Sequence, residues 1–259
     1  MRKENAQAAP STILEGLTSI RSLLHGREKG VNERPIYEVL YDRARAQKLG
    51  RSLSYILAKS HEMGFSVTET DAETIEELAT GATHGGIVAR CGERPLPSLE
   101  SSLESIQPYG FYATLDGIED PYNFAYAIRS LYACGADGII VSERNWLSAA
   151  GVVARSSAGA AEEVPMYLSK TEDAILLLKQ KGYTAVAADM DTEQELGKTP
   201  LPCPVLLIAG GEKRGISRSV LDLVDVKVKI PYESDFRASL SAASAVTIFA
   251  YEIMRQRRA

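Results

Sequence analysis

The chain has 259 residues, 45% of them hydrophobic and 24% charged, with 34 acidic against 29 basic side chains and a formal net charge of −5. That apolar share offsets chain entropy, so disorder is excluded for most of the length and one large domain or two small ones both fit. No run approaches the roughly 18 apolar residues of a membrane span, and the acidic balance excludes unspecific coating of nucleic acid by the whole surface while allowing a local basic patch.

The opening MRKENAQAAPST carries charge with no apolar core behind it, so no secretory signal is expected and the reading is cytoplasmic. Cys91, Cys134 and Cys203 are odd in number and never form a C-x-x-C pair. They read as small hydrophobes in a reducing compartment rather than as a disulfide framework or a zinc site. Residues 27–51 hold Arg27, Lys29, Arg34, Arg43, Arg45, Lys48 and Arg51 against Glu28, Glu33, Glu38 and Asp42. Such a surplus is commonly a solvated face and otherwise a phosphate contact. Strand formers dominate 35–41; Leu53, Ile56, Leu57 and Ser60 then share one helical face, and a short strand follows at 65–68. Asp71 is placed to cap a helix carrying Ile75, Leu78 and Ala79, which His84-Gly85-Gly86 ends before a strand at 87–89. These elements form a small α/β unit.

Residues 94–108, rich in proline and serine, read as a linker and divide the chain into an N-terminal domain, 1–105, and a C-terminal domain, 106–259. Beyond it, apolar runs at 112–115, 138–141, 184–188, 205–209 and 226–230 alternate with helical patterns, the signature of a parallel sheet covered on both faces. One helix opens at Asp120-Pro121 and buries Phe124, Ile128, Leu131 and Tyr132; the last spans 239–256.

His25, His61 and His84 all precede the linker, and no G-x-S-x-G elbow is present, which argues against a Ser-His-Asp or Cys-His hydrolase in the larger domain. No two histidines have metal-ligand spacing, so no metal is expected. The strand at 205–209 runs into Gly210-Gly211-Glu212-Lys213-Arg214-Gly215 and then a helix opened by Ser217. A glycine turn there lets backbone approach a ligand at the carboxyl end of a parallel strand, where open α/β sheets bind cofactors. It matches neither G-x-x-x-x-G-K-[ST] nor G-x-G-x-x-G, and a plain chain reversal is the alternative.

Three segments in order, LDGIEDPYNFAYAIRSLYACGADGIIV, LLIAGGEKRGIS and VKVKIPYESDFRASLSAASAVTIFAYEIMRQR, resemble the three motifs of the RNA ribose methyltransferases of the SPOUT superfamily, the TrmH/SpoU group. The stretch from Ala154 to Ala160 is similar to one common in that group. More weakly, Gly16-Leu17 through Leu24 and Thr83 through Ala89 resemble a ribosomal-protein-like α/β unit that precedes the fold in many members and binds substrate.

The resemblance implies a C-terminal α/β domain with a parallel sheet and a trefoil knot, an exception to the rule that chains do not thread themselves. It implies S-adenosylmethionine as cofactor, bound near Ala188, Gly210, Gly211, Ile230 and Leu240, and a homodimer whose active sites are completed at the subunit interface. Asn123, Arg129, Glu212 and Ser239 match the motifs' polar residues. A guanidinium is a poor base near neutrality, so Arg129 reads as a clamp on RNA phosphate that lowers the pKa of a ribose 2′-hydroxyl. Glu212 orients Arg129 or Asn123, or forms a structural salt bridge; Asn123 is otherwise a helix cap. Two positions depart from the group's pattern: Ser241 stands where the third motif has asparagine, and Ala125 where the first has glycine.

The expected activity is methyl transfer to a ribose 2′-hydroxyl of structured RNA, ribosomal RNA in preference to transfer RNA. The N-terminal domain would hold the RNA through basic residues, and Arg214 with Arg218 form a second candidate cluster. The alternatives are a non-catalytic RNA-binding or ribosome-assembly protein that keeps the fold, which Ser241 would suit, and methylation of a base, which the Asn123–Arg129 pattern opposes.

Overall fold

The computed structural model describes residues 11–143, 149–211 and 214–258. The chain forms two compact units, Met1–Pro95 with Asn145–Glu163 and Leu96–Arg144 with Val164–Ala259. The first unit supplies β1 (Thr12–Glu15), α1 (Gly16–Glu28), β2 (Ile36–Asp42), α2 (Ala46–Met63), β3 (Ser66–Thr70), α3 (Ala72–Leu78) and β4 (Ile87–Cys91). The second supplies β5 (Phe111–Asp116), α4 (Pro121–Ala133) and β6 (Gly138–Val141). The chain then returns to the first unit for α5 (Ala150–Ser156) and α6 (Ala160–Glu163). The second unit ends with β7 (Met166–Leu168), α7 (Thr171–Gln180), β8 (Thr184–Ala188), β9 (Val205–Gly210), α8 (Arg218–Leu221), β10 (Val226–Val228) and α9 (Ala242–Arg258).

In the first unit the strands pair in the order β1-β4-β2-β3, with β2 and β3 parallel and the other pairs antiparallel. Asp71 caps α3 as its position predicts, its Oδ1 accepting the Thr74 N–H at 2.9 Å. Leu14, Ile20, Leu23, Leu24, Val39, Ile56 and Ile87 pack one core and are no more than 1% exposed. Side chains of this size each contribute about 1.5–3 kcal/mol when fully buried. Leu57, expected on the buried face of α2, is 40% exposed; Ile56 and Ser60, one turn apart, carry that face with Leu53 packed beside them, and Leu57, the next residue round the helix from Ile56, falls off its edge.

Chemistry binds the returning segment to this unit. Glu162 accepts two hydrogen bonds from the Arg34 guanidinium, at 2.8 and 3.0 Å, and one from Asn32 at 2.6 Å, all buried. At Gly26 and Gly151 the backbones approach so closely that a Cβ would lie 2.0 Å from the Glu162 carbonyl oxygen and 2.4 Å from that of Ile13. A single boundary near residue 105 therefore does not describe the contacts. Arg34 is 5% exposed, so it belongs to the core and leaves the basic surface run expected at 27–51. Arg43 pairs with Glu69 at 2.6 Å and Lys29 with Glu163 at 3.4 Å, which neutralises more of that run.

The second unit holds a six-stranded sheet, order β10-β8-β9-β5-β6-β7, with every neighbouring pair parallel. Its central strands are apolar and buried on both faces, as the continuous runs predict. From Leu96 onward the proline- and serine-rich stretch is part of this unit. Leu99 and Ile106 are buried in its core, and Tyr183 donates its hydroxyl proton to the Gln107 carbonyl. The strand β7 went unread because three residues give no period. Cys91 is buried and burial pushes its thiol up to about 12, whereas Cys134 and Cys203 are only partly buried; all three are free thiols. No helix among the described residues is long and apolar enough to cross a membrane. The opening residues read for a secretory signal fall largely outside the described residues.

Candidate active site

Parallel strands deliver their carboxyl ends to one edge of the sheet, and the crevice outside that edge is where such folds bind ligands. In the second unit, β8, β9 and β10 end side by side, Ala187 beside Ile208 and Val228 beside Ala188. A cavity of about 370 Å³ opens beyond them, within the size range of small-molecule sites. Ala188, Gly210, Gly211, Ile230, Ser239 and Leu240 all line it. The wall is mostly backbone and apolar side chain, with Phe249 of α9 beneath and Asp189, Arg214 and Lys229 as its charged groups.

Two glycines make the wall possible. A Cβ on Gly210 would lie 2.5 Å from the carbonyl carbon of Gly215, and one on Gly211 would lie 2.1 Å from the carbonyl oxygen of Gly117. The turn folds back on itself, with the Gly215 N–H donating to the Gly211 carbonyl at 2.9 Å. On the opposite side the Leu240 N–H donates to the Tyr232 hydroxyl at 3.2 Å, and the Tyr232 ring packs on Phe236 at 6.0 Å between centroids. Ser241 then starts α9: its Oγ accepts the Ser244 N–H at 3.2 Å and its carbonyl accepts the Ala245 N–H at 3.0 Å. In place of asparagine, the hydroxyl acts as a helix cap.

Asn123 and Arg129 lie on α4 and do not line the cavity. Asp120 caps that helix through the Asn123 N–H, 2.8 Å from Oδ1. The loop leading into α4 is the one whose Gly117 carbonyl abuts Gly211, and Asp116 pairs with Gly210 across β5 and β9, so the first and second motifs meet at one strand end. The third joins them through α9, which packs on α4 with Ser130 Oγ and Thr247 Oγ1 2.6 Å apart. Arg129 is exposed, and its guanidinium makes no hydrogen bond or ion pair with the described residues. Ala125 is fully buried, where a methyl group fits. Glu212 lies outside the described residues.

Asp189, Lys229 and Tyr232 are lining residues that the motif reading missed. The signal for Asp189 was available: it is the first charged residue after an apolar strand, at the end where ligands bind. Lys229 follows β10 in the same way, and its ammonium lies 3.7 Å from Glu193. No group of three or more histidine, cysteine or acidic side chains able to hold a metal exists among the described residues.

Comparison with known proteins gives consistent results. A family profile described as the SpoU rRNA Methylase family matches residues 110–251, more than half of the chain. The 23S rRNA (guanosine-2′-O-)-methyltransferase RlmB of Shewanella oneidensis is 30% identical over 210 residues, covering 80% of this chain and 85% of its own. The RlmB protein of a Burkholderia species is 29% identical over 249 residues, covering 95% and 96%. Among solved structures, the SpoU methyltransferase AviRb of Streptomyces viridochromogenes in complex with AdoMet aligns with a TM-score of 0.78 at 23% identity, over 96% of this chain and 91% of that one. An AdoMet-bound rRNA methyltransferase of Sinorhizobium meliloti aligns at 0.76 and 24%, over 95% and 87%. The structural likenesses show the shared fold, and the profile with the RlmB relatives shows the family: the chain belongs to the SpoU rRNA methylases.

Proposed function

We propose that this protein is an S-adenosylmethionine-dependent RNA methyltransferase that modifies a ribose 2′-hydroxyl of structured RNA, ribosomal RNA in preference to transfer RNA. The observation that carries the reading is the cavity of about 370 Å³, on which Ala188, Gly210, Gly211, Ile230 and Leu240 converge. Main-chain walls and a glycine cradle fit a cofactor with an apolar nucleoside body, and Asp189, Arg214 and Lys229 offer charged partners for its polar ends. The activity printed for the RlmB relatives, guanosine-2′-O methylation of 23S rRNA, supports ribose and ribosomal RNA as the target.

When bound, S-adenosylmethionine supplies a methyl group activated by its sulfonium. The protein's part is to align a hydroxyl and help it lose its proton. Arg129, exposed and without a partner among the described residues, clamps an RNA phosphate and lowers the hydroxyl's pKa by its positive charge. A guanidinium, protonated throughout the neutral range, does not take that proton, which leaves to phosphate or water. Asn123, in the first turn of α4, and Ser239, at the cavity, position the ribose; Glu212 orients Arg129 or Asn123.

The reading extends to a trefoil knot in the second unit, a ribosomal-protein-like RNA-binding first unit, a cytoplasmic location and a homodimer. For the homodimer the support is a patch of exposed apolar side chains, Tyr122 and Tyr126 on α4 with Ile248 and Tyr251 on α9, two helices that pack together. The test is calorimetric titration with S-adenosylmethionine, then incubation with the radiolabelled cofactor and total RNA from a strain lacking the gene. Saturable binding and labelled RNA are expected; binding without label, or neither, contradicts the proposal.

A further inference from the structure

The first unit has a cavity of its own, of about 340 Å³, at the amino end of α1. Gly16, Leu17, Thr18 and Ser19 line it from the helix, Lys48 and Leu49 from α2, His84 from the loop before β4, and Arg155 from α5. The first N–H groups of a helix have no partner within it and carry its positive dipole end. Here the capping position is Glu15, which gives no side-chain cap, and the first turn holds no acidic residue.

Two further features make this an anion site rather than a bare helix end. Ser19 is 2% exposed and lines the cavity, and its hydroxyl makes no hydrogen bond with the described residues. Such a hydroxyl is free to donate to a ligand oxygen. The cavity's charge is also positive after internal pairing. Glu15 is the one carboxylate in the lining, and it is saturated by the Thr80 N–H and hydroxyl, both at 2.7 Å, and by Arg155 at 2.5 Å. Lys48 remains, exposed and without an ion pair among the described residues. Near it, the Gly86 N–H donates to His84 Nδ1 at 3.2 Å, which leaves Nε2 as the proton-bearing nitrogen.

We infer that this cavity binds a phosphate group, and that in the working protein the group is a backbone phosphodiester of the RNA. The helix N–H groups, the Ser19 hydroxyl and the Lys48 ammonium are its donors. The phosphate chemistry stands by itself; its assignment to RNA rests on the proposed function.

The full-length protein is titrated with inorganic phosphate and, separately, with a short single-stranded RNA lacking terminal phosphates, following backbone amide resonances by NMR. Saturable shifts of the amides of Leu17, Thr18 and Ser19 are expected with both probes. Lys48→Gln should weaken each about fivefold by removing a charge-assisted contact. Thr18→Asp should abolish them while keeping or raising the unfolding temperature, because a carboxylate at an exposed first-turn position stabilises the helix and takes the anion's place. No shift with either probe, or a Thr18→Asp variant that responds like the wild type, overturns the site; response to inorganic phosphate alone overturns its assignment to RNA. S-adenosylmethionine affinity is measured on the same samples, so that its absence counts against the proposed activity and not against this site.

Discussion

Gly211→Ala is the perturbation whose consequence the geometry dictates most closely. Its Cβ would stand 2.1 Å from the Gly117 carbonyl oxygen, 2.6 Å from the carbonyl carbon and 3.2 Å from the Ile118 nitrogen. An unstrained carbon–oxygen contact is about 3.3 Å, so one backbone must move by about 1.2 Å. Neither is free to do so by a rotamer change, since both follow directly from β5 and β9, which pair through Asp116 and Gly210. Overpacking of this kind costs about 1–3 kcal/mol, and a displacement near 1 Å at a reacting site costs about 100-fold in rate. Thermal unfolding and calorimetric titration with S-adenosylmethionine read the two effects. The variant should lose several degrees of stability and bind at least about tenfold more weakly. Gly182→Ala is the control: its φ is +86° but nothing lies within 4 Å of the added methyl. It should lose about 1–2 kcal/mol through left-handed strain and keep its affinity. A Gly211→Ala protein with wild-type stability and affinity would refute the argument that the loop is closed by backbone contact.

Further predictions concern both units. Glu162→Ala leaves the buried Arg34 charge unpaired and should cost about 3–5 kcal/mol in urea unfolding, much of it recovered when Arg34 is also replaced by Met. Burial alone would raise the Glu15 pKa, but hydrogen bonds from Thr80 and the Arg155 charge bring it below its ordinary 4.5. The stabilisation is therefore full above the unfolded-state value and lost as pH falls through the folded one, and Glu15→Gln should flatten the acid limb of the stability profile below about pH 5. Arg129→Ala should abolish methyl transfer while leaving S-adenosylmethionine affinity within a few fold; equal loss of both would contradict its role as a clamp on RNA. Ser241→Ala removes the cap of α9 and should cost about 1 kcal/mol in thermal stability.

The continuous apolar strands 138–141, 184–188 and 205–209 and the Asp120-Pro121 helix start were legible because period, length and cap agree locally. Ala188, Gly210, Gly211, Ile230, Ser239 and Leu240 line one cavity at the sheet edge, the second motif supplying the two glycines and the third Ile230, Ser239 and Leu240. The return of the segment around Glu162 to the first unit was not legible. It depends on Arg34, a residue some 130 positions away that reads as surface charge until its partner is known. The 94–108 stretch misled for a related reason: its prolines and serines signal a linker, while two buried side chains, Leu99 and Ile106, too few among the polar residues to set a pattern, are what anchor it. Asp189 and Lys229 were missed because a charge after an apolar strand is common, and only the converging strand ends give it a cavity to face.

The central claim is that this cavity serves ribose methylation. The most direct measurement is mass spectrometry of nucleosides from RNA incubated with the protein and S-adenosylmethionine carrying a deuterated methyl group. The account predicts the label on the ribose of a 2′-O-methylated nucleoside, lost with Arg129→Ala; label on a base, or none despite cofactor binding, would contradict it.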